Sequence, residues 1–112
     1  MGRFRLRGLI VKYFEYFSNK DLKNLAIMYS DEVRLSDWDI LANGKIDVLA
    51  ANKNIFDSVE TIAVDLKELH IDSDVATCVI VITINNDDIL KVIDLIRLDD
   101  HGKIKEISAY KQ

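Results

Sequence analysis

Hydrophobic residues recur every three or four positions in the first half of the chain and every second position in the second half. The first spacing places side chains on one face of a helix, and the second places them on one face of a strand. The first half therefore predicts three helices. Their apolar faces contain Leu6, Leu9, Ile10, Tyr13 and Phe17, then Leu22, Leu25, Ala26 and Tyr29, and finally Ile46, Leu49, Ala50 and Phe56.

Strand signals begin with Glu32 to Asp37, and the segment from Trp38 to Asn43 is interpreted as a loop. From Ile62 the period is two, but the apolar set changes parity near Lys67-Glu68, which indicates a β-bulge. Helices followed by strands joined by short turns predict one α+β domain over residues 1–112, with helices on one face of a curved antiparallel sheet. The later strands are predicted at Val75–Ile84, Ile89–Leu98 and Lys103–Tyr110.

Asp94 breaks the pattern of its predicted strand. Alternation places its carboxyl group on the strand face that is otherwise wholly apolar, together with Leu90, Val92, Ile96 and Leu98. An ionised carboxylate without a partner is costly in such a place. The pattern therefore predicts that Asp94 is paired, protonated or directed into a cavity, and it marks Asp94 as a candidate site residue.

Asp37 and Tyr13 break apolar surfaces in the same way, one on the first strand and one on the first helix. If these two side chains and Asp94 converge, an aspartate can act as general base on a carbon acid. A phenol and a neutral carboxylic acid can then donate hydrogen bonds to an oxyanion. Structural interpretations stand beside this one, since Tyr13 can pack in the core, Asp37 can close a loop and Asp94 can be a satisfied buried acid.

Composition narrows the classes of function. The 112 residues are 49% hydrophobic and 30% charged with a formal net charge of −4, which argues against a nucleic-acid partner. No apolar stretch approaches the ~20 residues of a membrane span, and we find no signal-peptide pattern, so we expect a cytoplasmic protein. No zinc-ligand spacing or glycine-rich phosphate loop is present, so neither a metal nor a cofactor is expected.

Four segments of the sequence resemble the nuclear transport factor 2-like superfamily, in its ketosteroid isomerase and SnoaL-like branch. The segments are residues 11–22, residues 28–37, the third helix that follows Gly44, and residues 93–104. The resemblance implies a cone-shaped α+β fold in which three N-terminal helices pack on a strongly curved, mostly antiparallel sheet. It also implies a pocket for a small apolar molecule and a homodimer.

The ketosteroid isomerase resemblance also implies roles for individual residues. Tyr13 matches the oxyanion-hole tyrosine of that family, Asp37 its proton-shuttling aspartate and Asp94 its protonated aspartic acid. Tyr29 matches a tyrosine that supports the first one by hydrogen bonding. The sequence departs from the pattern of that family at two places. Trp38 stands where the family has a proline after its catalytic base, and Asn52-Lys53 stands where the family has a supporting tyrosine.

Two hypotheses follow for function. The first is a cofactor-independent isomerase, or a SnoaL-like cyclase or lyase, that moves a proton on an apolar carbonyl compound bound against Trp38, Phe17, Tyr29 and Phe56. The second is a non-catalytic ligand-binding or dimerisation module in which Trp38, Phe14, Phe17 or Phe56 fills the cone. In either case the mixed face of the Asp94 strand, with Ile89, Ile93 and Leu95, is a candidate dimer surface.

Overall fold

The computed structural model describes residues 2–112. Within that range three helices precede or interrupt a set of six strands, in the order α1 (Arg3–Ser18), α2 (Leu22–Met28), β1 (Tyr29–Ser36), β2 (Leu41–Asn43), α3 (Lys45–Ser58), β3 (Ile62–Asp72), β4 (Val75–Ile84), β5 (Asp88–Leu98) and β6 (Ile104–Lys111).

The strands form one sheet in the order β2-β1-β6-β5-β4-β3. The β1–β6 pair is parallel, and every other pair is antiparallel. The register shifts between Leu66 and Glu68 on β3, which confirms the predicted bulge. An extra residue at such a point bends its strand and increases the twist. The predicted α+β fold, with helices packed on a curved and mostly antiparallel sheet, is therefore confirmed.

Local sequence explains how the short helices begin. The Asp21 side chain accepts a hydrogen bond from the backbone N–H of Asn24, so it is the N-cap of α2. Gly44 precedes α3 with a φ of 89°, a left-handed conformation that glycine adopts without strain. Both residues lie where the sequence predicts a helix start.

The structure corrects three of the predicted elements. Tyr29 is the first residue of β1 rather than part of α2. The segment from Trp38 to Asn43 is only partly a loop, because Leu41–Asn43 forms a strand that pairs with β1. The buried face of α3 is Val48, Asn52 and Phe56, whereas Ile46 is 84% exposed.

The core lies between the helices and the inner face of the sheet. The helix α1 packs against β3, and α3 packs against β1. The inner face of α1 buries Leu6, Ile10, Tyr13 and Phe14. Removing these apolar side chains from water is the main favourable contribution to folding. Among the described residues, no helix is both long enough and apolar enough to cross a membrane.

Candidate active site

A cavity of about 230 Å³ lies between the helices and the inner face of the sheet. Its wall is mostly aliphatic because alternate residues of three neighbouring strands point inward, among them Ile62, Val64, Ile80, Ile82, Leu90 and Val92. The polar or ionisable side chains that reach this wall are Tyr13, Asp37, Asp39, Asn52 and Asp94. The structure thus brings Tyr13, Asp37 and Asp94 to one cavity, while their roles in catalysis stay predictions.

Asp94 lies on the inner face of β5, where it is 7% exposed. Its cross-strand neighbours are Cys78 on β4 and Ala109 on β6, which are small and leave space above the carboxyl group. Among residues 2–112, no donor hydrogen-bonds this carboxyl group. Since no fully buried side-chain polar atom of that range lacks a partner, the Asp94 oxygens must reach the space of the cavity.

The protonation of Asp94 follows from this environment. Burial raises the pKa of Asp94 to about 7, and the negative charge of Asp37 adds to the effect. Desolvation and a like charge both disfavour the ionised form. Near neutral pH a substantial share of Asp94 is therefore a neutral carboxylic acid, which can donate a hydrogen bond into the cavity.

Tyr13 contributes a second donor from the inner face of α1, where it is 3% exposed. Burial raises the pKa of its phenol well above the ordinary value, and the nearby Tyr29 and Asp94 raise it further. The ring meets the edge of Phe14 at a centroid distance of 5.1 Å, so the side chain is held by packing as well. Tyr13 is therefore protonated at physiological pH. Its hydroxyl also interacts with that of Tyr29, so a ligand oxygen would compete with Tyr29 for the Tyr13 proton.

Asn52 is a site residue that the sequence pattern does not assign. It is 2% exposed, lines the cavity, and accepts a hydrogen bond of 2.7 Å from the Tyr29 hydroxyl to its Oδ1. The available signal is its spacing of four residues from both Val48 and Phe56, which places all three on one helix face. Asn52 thus fills the place where the resemblance implies a supporting tyrosine.

Asp37 follows the end of β1 and closes a tight loop. Its Oδ1 accepts hydrogen bonds from the backbone N–H groups of Asp39 at 2.7 Å and Ile40 at 2.6 Å. Its own N–H donates to the Ile40 carbonyl at 2.9 Å. Within the described residues no donor reaches Oδ2, so one oxygen of a half-buried, well-positioned carboxylate remains available at the cavity.

The four residues predicted to contact a ligand divide into two pairs. Trp38 and Phe17 line the cavity, and Trp38 is 46% exposed with the Lys111 ammonium 5.1 Å from its ring centroid. Tyr29 and Phe56 are buried and are not among the residues that line the cavity, and their contact with a ligand stays a prediction. Tyr29 lies behind Asn52, and Phe56 packs edge-on against Phe17 at 4.9 Å.

Metal chemistry finds no support in the geometry. Between residues 2 and 112, no group of three or more His, Cys, Asp or Glu side chains is arranged to hold a metal ion. Cys78 is buried, and burial raises the pKa of its thiol to about 12, so it is an unreactive thiol rather than a nucleophile. The polar groups on the cavity wall, Tyr13, Asp37, Asp39, Asn52 and Asp94, can form hydrogen bonds, and the aspartates can transfer protons.

Comparison with known proteins gives one family match. A family model described as a SnoaL-like domain matches residues 6–94. No curated protein matches the sequence significantly.

Solved structures resemble the chain over nearly its whole length. A "putative isomerase of the SnoaL-like family" from Agrobacterium tumefaciens has a TM-score of 0.83 and 12% identity, covering 94% of this chain and 95% of that one. A "putative ketosteroid isomerase" from Kribbella flavida has a TM-score of 0.80 and 19% identity, covering 96% and 77%. A "putative polyketide cyclase" from Sinorhizobium meliloti has a TM-score of 0.82 and 14% identity, covering 91% and 93%. At these identities the likeness shows the fold alone.

Proposed function

The chain belongs to the SnoaL-like domain family, and from that premise we propose that it is a cofactor-independent enzyme that moves a proton on a small apolar carbonyl compound. The observation that carries the proposal is the shared cavity. Asp37, Tyr13 and Asp94 all line one space whose remaining wall is largely apolar. Such a space weakens competition from water and strengthens each hydrogen bond made inside it.

The three groups divide the work of one proton transfer. Asp37 Oδ2 accepts a proton from the carbon next to the carbonyl group, and the electrons of the C–H bond move onto the carbonyl oxygen. Tyr13 and neutral Asp94 donate hydrogen bonds to the resulting enolate oxygen. Asp37 then returns the proton to a different carbon atom. The product is an isomer of the substrate, and no group is gained or lost.

The environments of the two aspartates suit these different tasks. Asp94 is nearly enclosed, and its pKa of about 7 keeps much of it neutral. Asp37 is half-buried and is held through Oδ1 by two backbone N–H groups, which fix its position and leave Oδ2 open to the cavity. Two carboxyl groups in unlike surroundings thus supply one acid and one base, as acid–base enzymes require.

The similar structures support the general step rather than a particular product. The names of two of them refer to isomerases and that of a third to a polyketide cyclase. Proton removal next to a carbonyl group can begin either reaction, because an enolate can be reprotonated or can attack a second carbonyl group. An isomerase is the simpler proposal, since it needs only the three groups at this cavity.

Turnover of β,γ-unsaturated cyclic ketones tests the proposal, because the conjugated product absorbs in the ultraviolet. We expect Asp37→Asn to lower kcat by roughly 10²- to 10⁴-fold, the usual range for a lost general base. Asparagine keeps an Oδ1 acceptor for the loop, so the fold should survive. Asp65→Asn, on an exposed site of β3, is the matched control. Equal rates for Asp37→Asn and the unmodified protein would remove the catalytic role.

A non-catalytic ligand-binding module is the second candidate. The loop contacts of Asp37 Oδ1 favour it, since they already give that residue a structural task. This candidate predicts that a bound β,γ-unsaturated ketone stays chemically unchanged. NMR of that bound ketone separates the two, because the enzyme proposal requires its conversion to the conjugated isomer, which Asp37→Asn should slow.

We also propose that the protein is a homodimer formed through the outer face of the sheet. Val79, Ile93 and Tyr110 lie side by side on three neighbouring strands of that face. Ile93 is 42% exposed and Tyr110 is 60% exposed, and nearby Ile89 is 62% exposed. An apolar row of this kind on a sheet surface is typical of a protein interface. The cytoplasmic location stays a prediction from the sequence.

A further inference from the structure

The charges around the cavity restrict its ligand. Every ionisable side chain that the structure places on the wall is an aspartate or a tyrosine, and no lysine, arginine or histidine is among them. An anionic ligand would lose its hydration without gaining a counterion among the residues of the wall, and it would face Asp37, Asp39 and Asp94. Carboxylates, phosphates and sulfates therefore do not fit this wall.

A cationic ligand is disfavoured for a different reason. The aromatic side chain of Trp38 already holds the Lys111 ammonium group 5.1 Å from its ring centroid. That ammonium is a positive charge beside a residue of the cavity wall. Deeper in the cavity, the strand residues Ile80, Ile82 and Val92 offer only aliphatic surface. The half-buried Asp37 and the exposed Asp39 could attract an ammonium at the outer part of the wall, but to reach further it would have to exchange water for that aliphatic surface.

The volume sets an upper size. An apolar cavity of roughly 150 Å³ accepts benzene, whereas pockets for drug-sized ligands begin at about 300 Å³. The present cavity, at about 230 Å³, lies between the two. Scaling from the six carbon atoms of benzene gives about nine or ten non-hydrogen atoms. A compact ketone of one or two rings, with about seven to eleven such atoms, is close to this estimate, whereas the four fused rings of a steroid exceed it about twofold.

The hydrogen-bonding groups fix the polarity of the ligand. Tyr13 is a donor, neutral Asp94 is a second donor, and the proton of Tyr29 is already given to Asn52. These two donors suit a single acceptor atom, and the strand residues that form most of the wall are aliphatic and offer no partner to a second polar group.

From these features we infer that the ligand is an uncharged ketone with one or two rings, whose carbonyl oxygen is its principal polar atom. The inference rests on the proposed function for the pairing of the carbonyl group with Tyr13 and Asp94. The limits on size and charge rest on the cavity itself.

Binding to the unmodified protein at pH 6 tests both limits. Trp38 is the sole tryptophan of the chain and lines the cavity, so its fluorescence reports occupancy. One series compares cyclohexanone, 2-decalone and the steroid androstenedione. We expect 2-decalone to bind at least tenfold more tightly than either of the other two. Equal or tighter binding of the steroid, or no binding of either smaller ketone, would overturn the inference.

A second series keeps one ring and changes the charge. Cyclohexanecarboxylate and cyclohexylammonium should bind at least tenfold more weakly than cyclohexanone. Comparable affinity for either ion would overturn the charge limit. Because these measurements report binding alone, 2-decalone binding without turnover of any unsaturated ketone would end the proposed function and leave the inference intact. Tight binding and turnover of a steroid would support the proposed function and overturn the inference about ligand size.

A variant that fills the cavity supplies an independent check. Ala109 lines the wall beside Asp94, and Ala109→Leu should weaken 2-decalone binding at least tenfold. Ala63→Leu places the same change on an exposed site of β3 and should alter affinity by less than twofold. Unchanged binding by a folded Ala109→Leu protein would place the ligand elsewhere. Circular dichroism establishes folding, and the ligand series on the unmodified protein decides the matter if this variant does not fold.

Discussion

The Tyr29 hydroxyl donates a hydrogen bond of 2.7 Å to Oδ1 of Asn52, and the two side chains are 1% and 2% exposed. This bond joins the start of β1 to the middle of α3. Because the Tyr29 proton is directed to Asn52, the Tyr29 oxygen remains free to accept. Tyr13 lies next to it, with the ring centroids 6.4 Å apart. The Tyr29–Asn52 pair therefore helps to position Tyr13, the candidate oxyanion donor, and is also part of the core.

Replacing Asn52 with leucine should destabilise the protein by about 1–3 kcal/mol, because the Tyr29 hydroxyl would then be buried without an acceptor. Tyr29→Phe alone should also cost stability, since it leaves the Asn52 amide without its donor. The double variant removes both polar groups, so its loss should be smaller than the sum of the two single losses. Urea denaturation followed by circular dichroism measures all three. Strictly additive losses would show that the two side chains do not interact.

Asp94 should make the protein less stable as the pH rises. Burial raises its pKa from 3.8 to about 7, so between these values the folded protein keeps a proton that the unfolded chain releases. The contribution of this retained proton to the free energy of unfolding is complete below pH 3.8 and is lost as the pH rises through about 7. Its full size is a few kcal/mol.

The pH dependence of unfolding in Asp94→Asn tests this assignment. Asparagine is neutral at every pH, so the variant should show a flatter profile and should exceed the unmodified protein in stability at pH 8. Asp65→Asn, which alters an exposed carboxylate, should leave the slope unchanged. If Asp94→Asn keeps the original slope, another group is responsible for it.

Tyr13→Phe should lower kcat on an isomerisable ketone by roughly 10²- to 10³-fold, the usual cost of removing one oxyanion donor. KM should change little, because the enolate oxygen gains more from the donor than the ground-state carbonyl does. Tyr16→Phe is the matched control, since Tyr16 lies on the same helix but does not line the cavity. An unchanged kcat in Tyr13→Phe would remove that residue from the mechanism.

The two-residue spacing of apolar positions, and its shift by one position near Lys67-Glu68, are sufficient to predict the β3 bulge and the inward direction of Asp94. Both depend on local alternation, and a side chain that breaks an apolar face is visible without knowledge of the fold. The convergence of Tyr13 and Asp37 on the same cavity could not be derived in this way. It depends on how α1 crosses the sheet and on the parallel pairing of β1 with β6.

The errors have equally specific causes. The sequence pattern predicts that Ile46 lies on the buried face of α3, but tertiary packing turns Val48 and Asn52 inward and leaves Ile46 84% exposed. A buried asparagine does not add to a hydrophobic pattern, so the sequence does not predict that Asn52 accepts the hydrogen bond from Tyr29. Strand β2 has three residues, Leu41–Asn43, which is too short a segment to show a period.

Ile93→Lys should shift the protein from dimer to monomer. Ile93 is 42% exposed at the centre of the outer row, between Val79 and Tyr110. Burying a lysine ammonium at an apolar interface is costly without a partner, so we expect the dissociation constant to rise at least tenfold in sedimentation equilibrium. Ile46→Lys makes the same change on α3, where the side chain is 84% exposed, and should leave assembly unchanged. A monomeric unmodified protein at high concentration, or equal dissociation constants for the two variants, would show that this face is not the interface.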